Sequence, residues 1–239
     1  MTDKIIIALD FDQYSSAREA VERLPEARFF KVGLQGYLQY GESIINLLRE
    51  KGKKLFLDLK FKDIPNTVSG AVRSSLKYEP DFLTVHLTGG EEMVRKALEA
   101  AGERPDLTIL GVTVLTSLGN ADLLAMGMLL PVADTVLKLC ELGLKAGLRA
   151  FVCSPLETER LRRNFGRDII LVTPGIRPQW SEKGDQTRVF TPRLAVEAGS
   201  DYLVIGRPIT HHQRPDEAFR LILREMEGAS PAVFEKKNR

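Results

Sequence analysis

A charged segment follows an apolar run near Leu55, and its residue types suit electrostatic and acid–base chemistry. Asp58 and Lys60 end that run, and Asp63 comes on the turn that follows. Side chains two apart on a strand share a face, so Asp58 and Lys60 are expected to point the same way, with α-carbons about 7 Å apart. Opposite charges at about 4 Å attract by about 4 kcal/mol at an intermediate dielectric, which keeps both ionised while water is excluded. The strand end therefore predicts a pre-charged site.

Two further charged residues, Asp10 and Lys31, stand at the ends of earlier apolar runs. Lys31 and the three residues of the later segment alternate in sign and sum to zero charge, so they lose water at less cost than a lone ion. A stabilising ion network would have the same pattern, and the spacing Asp-x-Lys-x-x-Asp alone is a weak signal. The placement of these charges at strand ends favours a catalytic site.

Two later segments have the composition of an anion-binding site. The last apolar run ends in Gly206, which lets backbone approach a ligand, and in Arg207, which can fork onto a phosphate. Glycine after a strand is also a common turn element. The stretch 172–186 is too long and too rich in glycine for a simple connection and is predicted to be a lid. Within it, Gln186 could reach the phosphate, whereas Arg177 either does so or faces solvent.

The hydrophobic pattern predicts a scaffold that gathers these strand ends. Short apolar runs with β-branched residues alternate with segments of helical period, which is the signature of βα units and a parallel sheet. The eight predicted strands are Ile5–Asp10, Phe29–Val32, Leu55–Lys60, Phe82–His86, Leu107–Thr113, Arg149–Cys153, Ile169–Thr173 and Tyr202–Gly206. Three helical stripes are predicted at Tyr37, Leu38, Ile44, Ile45 and Leu48, at Ala133, Val136, Leu137, Cys140 and Leu144, and at Ala218, Leu221, Ile222 and Met226. The fold class is therefore α/β, a single TIM (β/α)8 barrel domain over residues 1–239 with a frayed polar tail from about residue 230.

In such barrels the loops at the carboxyl ends of the strands build the active site. The polar residues predicted at those ends are Asp10, Lys31, Asp58, Lys60, Asp63, His86, Thr116, Gln186 and Arg207. They are expected to converge on one pocket.

Composition excludes several classes of protein. A chain of 239 residues with 44% hydrophobic and 28% charged residues is typical of a soluble globular protein, and no apolar run approaches the ~20 residues of a membrane span. A net charge of +2 is too slight to indicate a nucleic-acid partner. The N-terminus lacks the pattern of a signal peptide, so a cytoplasmic location is expected, with Cys140 and Cys153 as buried free thiols.

No metal or cofactor is expected from the sequence. The three histidines are His86, His211 and His212, and no helix carries two histidines and a carboxylate at metal-binding spacing. A glycine-rich loop suited to a dinucleotide or a nucleoside triphosphate is also missing from the sequence.

Several motifs in one order resemble the orotidine 5′-monophosphate decarboxylase family, the last enzyme of de novo UMP synthesis, over nearly the whole chain. The motifs are Ala8-Leu9-Asp10, Phe30-Lys31-Val32-Gly33, the block from Phe56 to Thr67, Thr84-Val85-His86, Val172-Thr173-Pro174-Gly175-Ile176-Arg177 and Val204-Ile205-Gly206-Arg207-Pro208. The resemblance implies a cofactor-free decarboxylation of orotidine 5′-monophosphate to UMP. It also implies a homodimer in which Asp63, Ile64 and Thr67 of the neighbouring subunit complete each site.

The resemblance further implies a role for each matching residue. These roles are ribose binding by Asp10 and Lys31, pyrimidine binding by Thr116, phosphate binding by Gln186, Gly206 and Arg207, further substrate contacts from Pro174 and Arg177, and a place beside the departing carboxylate for Asp58. The catalytic set would be Lys31, Asp58, Lys60 and Asp63.

Elementary chemistry agrees with this distribution. Loss of carbon dioxide from C6 of a uracil ring leaves a localised carbanion, which a nearby ammonium such as that of Lys60 can stabilise and then protonate. Two alternatives stay open at this point. A metal-dependent sugar-phosphate decarboxylase or aldolase resembles the chain in barrel fold and in the Asp-x-Lys-x-x-Asp pattern, and a nucleotide sensor could use the same pocket without catalysis.

Overall fold

A computed structural model describes residues 1–181 and 190–229 of the chain, and eight parallel strands in it close into one barrel in sequence order. The strands are β1 Ile5–Ala8, β2 Phe29–Gly33, β3 Lys54–Phe61, β4 Phe82–His86, β5 Thr108–Val112, β6 Ala150–Val152, β7 Ile170–Thr173 and β8 Tyr202–Ile205. The predicted (β/α)8 architecture is confirmed, and the strand ends differ from prediction by at most two residues. The predicted tail from about residue 230 lies outside the described residues.

Helices surround the barrel. They are α1 Tyr14–Glu22, α2 Leu34–Tyr40, α3 Glu42–Glu50, α4 Pro65–Ser75, α5 Glu91–Ala101, α6 Asn120–Ala125, α7 Val132–Lys145, α8 Pro155–Phe165, α9 Pro192–Glu197, α10 Arg207–Thr210 and α11 Pro215–Glu227, with short 3-10 helices at Thr2–Lys4, Leu76–Tyr78 and Leu87–Gly89. Within the described ranges, no helix combines the length and the apolar composition that crossing a membrane requires.

The predicted helical stripe is confirmed on α7 and wrong for the first of the three. On α11 it holds for Ala218, Ile222 and Met226, but Leu221 is 41% exposed. Gly41, with a φ of +57°, separates α2 from α3, so the first stripe is divided between two helices. A positive φ is readily adopted by glycine and interrupts the helical path. Leu38 on α2 is 76% exposed, whereas Ile44 and Leu48 on α3 are buried against the barrel.

The barrel interior is closed at its lower end by aromatic side chains. Phe29, Phe56 and Phe82 come from three neighbouring strands, and Tyr202 from β8 joins them, with ring centroids 4.9–6.2 Å apart. The whole inner cluster consists of Ile6, Ala8, Phe29, Phe56, Phe82, Leu110, Ala150, Val172 and Val204. A separate, larger cluster fills the space between the strands and the helices. The lower part of the barrel interior is therefore filled by side chains, and we call the aromatic layer of Phe29, Phe56, Phe82 and Tyr202 the aromatic floor.

On β2, β3 and β4, the inward position above each phenylalanine is polar. Lys31, Asp58 and Thr84 each follow a floor phenylalanine by two residues. Because side chains alternate along a strand, these three polar residues face the barrel interior directly above the aromatic floor. The period of two thus places polar groups from adjacent strands on the inner face of the barrel.

Arg162 fastens α8 to the loops beneath the barrel, and its side chain is fully buried. Its guanidinium donates hydrogen bonds to the carbonyls of Gly199 at 2.8 Å, Gly166 at 3.0 Å and Ile169 at 2.7 Å, and it pairs with the carboxylate of Asp201. A buried guanidinium is tolerated only with such a full set of partners.

We expect Arg162→Met to lower the free energy of unfolding by about 3–5 kcal/mol, because the substitution leaves buried acceptors and a carboxylate unpaired. The matched control is Arg163→Met, because the Arg163 side chain is 61% exposed and pairs with Glu159 on the helix surface. That control should lose less than about 0.5 kcal/mol. Urea unfolding of both variants measures the difference, and equal losses would contradict the role assigned to Arg162.

Candidate active site

The C-terminal end of β3 departs from a regular strand where the charged residues begin. Leu57 lies opposite Leu83 on β4, but the next paired residue, Phe61, lies opposite Val85. Residues 58–60 of β3 therefore face Thr84 alone, which is a β-bulge. Within the bulge Lys60 has a φ of +51°, in the left-handed region that non-glycine residues rarely adopt.

Two lysine ammonium groups lie against a single carboxylate oxygen of Asp58. Lys60 Nζ lies 2.7 Å and Lys31 Nζ lies 3.4 Å from Asp58 Oδ2. Lys31 Nζ also lies 3.2 Å from Asp10 Oδ1, so two carboxylates and two ammonium groups form one neutral cluster. The predicted contact between Asp58 and Lys60 is present, although the backbone that produces it is a bulge and not the regular strand that we predicted.

The carboxylate of Asp58 stays ionised although it is 6% exposed. Burial acts to raise its pKa, but the charges of Lys31 and Lys60, together with hydrogen bonds from Lys60 and Thr84, outweigh burial and hold the pKa below its usual range. An anion that remains charged near neutral pH keeps both ammonium groups in place.

Asp63, Ile64 and Thr67 do not join this cluster within one chain. All three are exposed, and Ile64 is 68% exposed despite its apolar side chain. Asp63 Oδ1 accepts the backbone N–H of Ile64 at 2.6 Å, just before α4 begins at Pro65. Of the four charges that sequence analysis grouped, one chain brings together Lys31, Asp58 and Lys60, and Asp10 takes the outer position.

A cavity of about 460 Å³ opens above the cluster at the carboxyl ends of the strands. Nine of the predicted site residues line it, namely Asp10, Lys31, Asp58, Lys60, Thr116, Pro174, Arg177, Gly206 and Arg207. Gln186 lies outside the described residues. In the stretch after β7, the backbone N–H of Arg177 donates to the carbonyl of Phe190 at 2.9 Å. Within the described parts of the chain, no group of three or more His, Cys, Asp or Glu side chains is arranged to hold a metal ion.

Sequence analysis missed Thr84 as a member of the site. Its hydroxyl is fully buried, donates to Asp58 Oδ1 at 3.0 Å and accepts the backbone N–H of Lys60 at 2.9 Å. The signal that could have found it is positional, since Thr84 follows Phe82 by two residues as Asp58 follows Phe56.

Gly33 is the second residue that sequence analysis left without a role. A β-carbon there would lie 2.9 Å from Lys31 Nζ and 3.3 Å from Asp10 Oδ1. The ion pair of Lys31 and Asp10 therefore occupies the space that any other residue at position 33 would need. Glycine before α2 is thus part of the site, although it carries no functional group.

Fold and site together define an enzyme-like (β/α)8 barrel with an ion-paired lysine cluster at the mouth where such barrels act. The chain belongs to the Orotidine 5'-phosphate decarboxylase / HUMPS family, whose model matches residues 3–222.

Named relatives agree with this family. The chain is 47% identical over 236 residues to an orotidine 5'-phosphate decarboxylase of Thermobifida fusca, covering 97% of this chain and 100% of the relative. It is 43% identical over 230 residues to one of Gloeothece citriformis, covering 95% and 98%. The crystal structure of orotidine 5'-phosphate decarboxylase from Lactobacillus acidophilus superposes with a TM-score of 0.83 at 35% identity, covering 95% of this chain and 100% of that one.

We expect Gly33→Ala to displace the Lys31 ammonium and so raise the pKa of Asp58, because the charge of Lys31 is a principal cause of its low value. Carboxyl-selective NMR titration measures this pKa, and circular dichroism checks that the fold is kept. Gly70→Ala on α4 is the control, since its added methyl meets no other heavy atom within 4 Å. An unchanged Asp58 titration in Gly33→Ala would contradict the steric argument.

Proposed function

We propose that the chain converts orotidine 5′-monophosphate to UMP and carbon dioxide without a cofactor, as the last step of de novo pyrimidine synthesis. The observation that carries the proposal is the Lys60 ammonium, 2.7 Å from the buried carboxylate of Asp58 on the wall of the cavity. The names of relatives that match nearly the full chain at 42–47% identity support the substrate.

Lys60 supplies the chemistry in this proposal. Loss of carbon dioxide leaves a pair of electrons in an orbital at C6 that the ring cannot delocalise, so the barrier falls only if positive charge waits at that carbon. The ammonium stabilises the developing carbanion and then transfers a proton to C6. Its 37% side-chain exposure leaves a face of the ammonium open toward the cavity while Asp58 holds the other.

Asp58 and Lys31 keep that cation in position. Asp58 Oδ2 is shared by both ammonium groups, so the ammonium of Lys60 is held in one direction. Asp58 would also lie beside the substrate carboxylate before it departs. Lys31, tied to Asp10 at 3.2 Å, places a charged pair next to the ribose hydroxyls.

The remaining cavity residues would bind the nucleotide. Gly206 and Arg207 follow β8, and strands β1 and β2 separate β8 from β3 around the barrel. The phosphate would therefore be held away from the reacting carbon, with Arg207 and Gln186 as its side-chain partners. Binding energy from this remote group can be used to close the site and raise the chemical rate. Thr116 would bind the pyrimidine, with Pro174 and Arg177 as further contacts.

We propose a homodimer in which Asp63, Ile64 and Thr67 enter the neighbouring site. The support is that these three residues are exposed and lie apart from the cluster of their own chain, at the turn before α4 and on its first residues. An exposed isoleucine beside a charged turn is what a contact with a second copy would cover. Asp63 of one subunit would then stand on the open side of Lys60 of the other.

We also propose a cytoplasmic location and no nucleic-acid or membrane partner. Cys140 and Cys153 are buried free thiols, the state that a reducing compartment maintains. The net charge of +2 is too slight for a nucleic-acid surface.

The wild-type chain should consume orotidine 5′-monophosphate at equal rates in the presence and absence of EDTA. The Lys60→Ala variant should lose turnover and still bind UMP. The reason is that the ammonium acts on the carbanion and not on the phosphate or ribose. The loss of orotidylate absorbance measures turnover, and Lys138→Ala on the exposed face of α7 is the control. Loss of turnover in EDTA would indicate the metal-dependent alternative. Binding of the nucleotide by the wild-type chain without turnover would indicate a nucleotide sensor. Full activity in Lys60→Ala would exclude Lys60 as the proton donor.

Mixing two inactive variants, Asp63→Ala and Lys60→Ala, should restore activity if sites are shared between subunits. In a mixed dimer one of the two sites has both an intact Lys60 and an intact partner Asp63, so random exchange should give up to about one quarter of wild-type activity. The decarboxylation rate of the two variants after co-refolding measures the restoration. Absence of restored activity, with mixed dimers demonstrated by mass spectrometry, would refute the shared site.

A further inference from the structure

We propose that Thr84 is a positioning residue whose hydroxyl sets the geometry of both Asp58 and Lys60, a role that rests on the proposed decarboxylase function. Thr84 does not line the cavity and so is not placed to touch a substrate. Its side chain instead joins the two central charges from behind, at the one position of β4 that faces the bulge of β3.

The direction of each hydrogen bond at Thr84 follows from its partners. An ionised carboxylate can only accept, so the hydroxyl donates its proton to Asp58 Oδ1 at 3.0 Å. A backbone N–H can only donate, so a lone pair of the same oxygen accepts from Lys60 N at 2.9 Å. One buried hydroxyl therefore satisfies both neighbours at once, and an aliphatic side chain of the same shape could satisfy neither.

The first consequence concerns the backbone of Lys60. The bulge takes this residue out of the regular ladder, and its N–H has the threonine oxygen as acceptor in place of a β4 carbonyl. Lys60 also adopts a φ of +51°, which costs energy for a residue with a side chain. Such a conformation persists where the surroundings fix it, and the Thr84 hydroxyl is the group on β4 that does so here.

The second consequence concerns the rotation of the Asp58 carboxylate. Oδ1 is held by Thr84, which turns Oδ2 toward the ammonium groups of Lys60 and Lys31 at 2.7 and 3.4 Å. Without the hydroxyl, Oδ1 would be buried without its donor, and the carboxylate could turn to share its oxygens differently between the lysines. Lys60 would then lose both its backbone anchor and the fixed direction of its counter-ion.

The test compares Thr84→Val with Thr84→Ser. Valine keeps the shape but removes the hydroxyl, and serine keeps the hydroxyl. We expect kcat to fall by about 10- to 100-fold in Thr84→Val, since displacing a reacting group by about 1 Å costs up to about 100-fold. The KM and the affinity for UMP should change by less than about threefold, because the phosphate contacts are untouched. Thr84→Ser should keep kcat within about threefold of wild type.

A matched control separates positioning from loss of stability. Thr113 is also a buried threonine of the barrel, and its hydroxyl donates to the carbonyl of Val152 at 2.8 Å, away from the charged cluster. Thr113→Val removes the same group and should leave kcat unchanged. Equal kcat losses in Thr84→Val and Thr113→Val, or a wild-type kcat in Thr84→Val, would overturn the proposal.

Two further measurements cover the remaining outcomes. Should Thr84→Val be insoluble, Thr84→Ala and Thr84→Ser are compared, where a lower kcat in the alanine variant supports the role and equal values overturn it. Should the wild-type chain show no turnover, the proposed function fails, and a crystal structure of Thr84→Val or Thr84→Ala still tests the geometry. A rotated Asp58 carboxylate or a displaced Lys60 backbone supports the role of Thr84, and unchanged positions contradict it.

Discussion

The buried carboxylate of Asp58 is the interaction on which the rest of the site depends. It is the shared counter-ion of two lysines. Its negative charge lowers the free-energy cost of bringing two ammonium groups together at one edge of the barrel. Removing either lysine would leave the carboxylate under-compensated, and removing the carboxylate would set two like charges against each other. Each of these three side chains is therefore stabilised by its ion pairs with the others.

Two parts of the fold support the charged cluster: the aromatic floor beneath it and the contacts of Arg162 at the opposite end of the barrel. Aromatic rings from β2, β3 and β4 close the barrel under the charges, which excludes water from one side of Asp58. Arg162 ties α8 to the loops at the opposite end of the barrel through three carbonyl groups. Stability is thus concentrated at the closed end, and the mouth is left for polar groups whose partners are each other and a ligand.

The parts predicted from sequence are those that local pattern determines. Eight apolar runs such as Ile5–Ala8 predict the eight strands. The end of a run also predicts which residues, such as Lys31 and Arg207, line the cavity at the carboxyl ends of the strands. The roles of Thr84 and Gly33 depend on contacts between strands, which no local pattern contains. The split of the first helical stripe at Gly41 was missed because hydrophobic spacing does not register a single positive φ.

The bulge in β3 leaves both of its charged side chains on the same face of the strand. Three residues, 58–60, occupy the place of one, so the alternation of the strand emerges from the bulge unchanged. Leu57, Leu59 and Phe61 accordingly all pack toward the surrounding helices, while Asp58 and Lys60 both line the cavity. A slip of one residue in the pairing of this strand would instead turn the ammonium of Lys60 toward the leucines on the helix side. The chemistry of the site therefore depends on the register of β3 beyond its bulge.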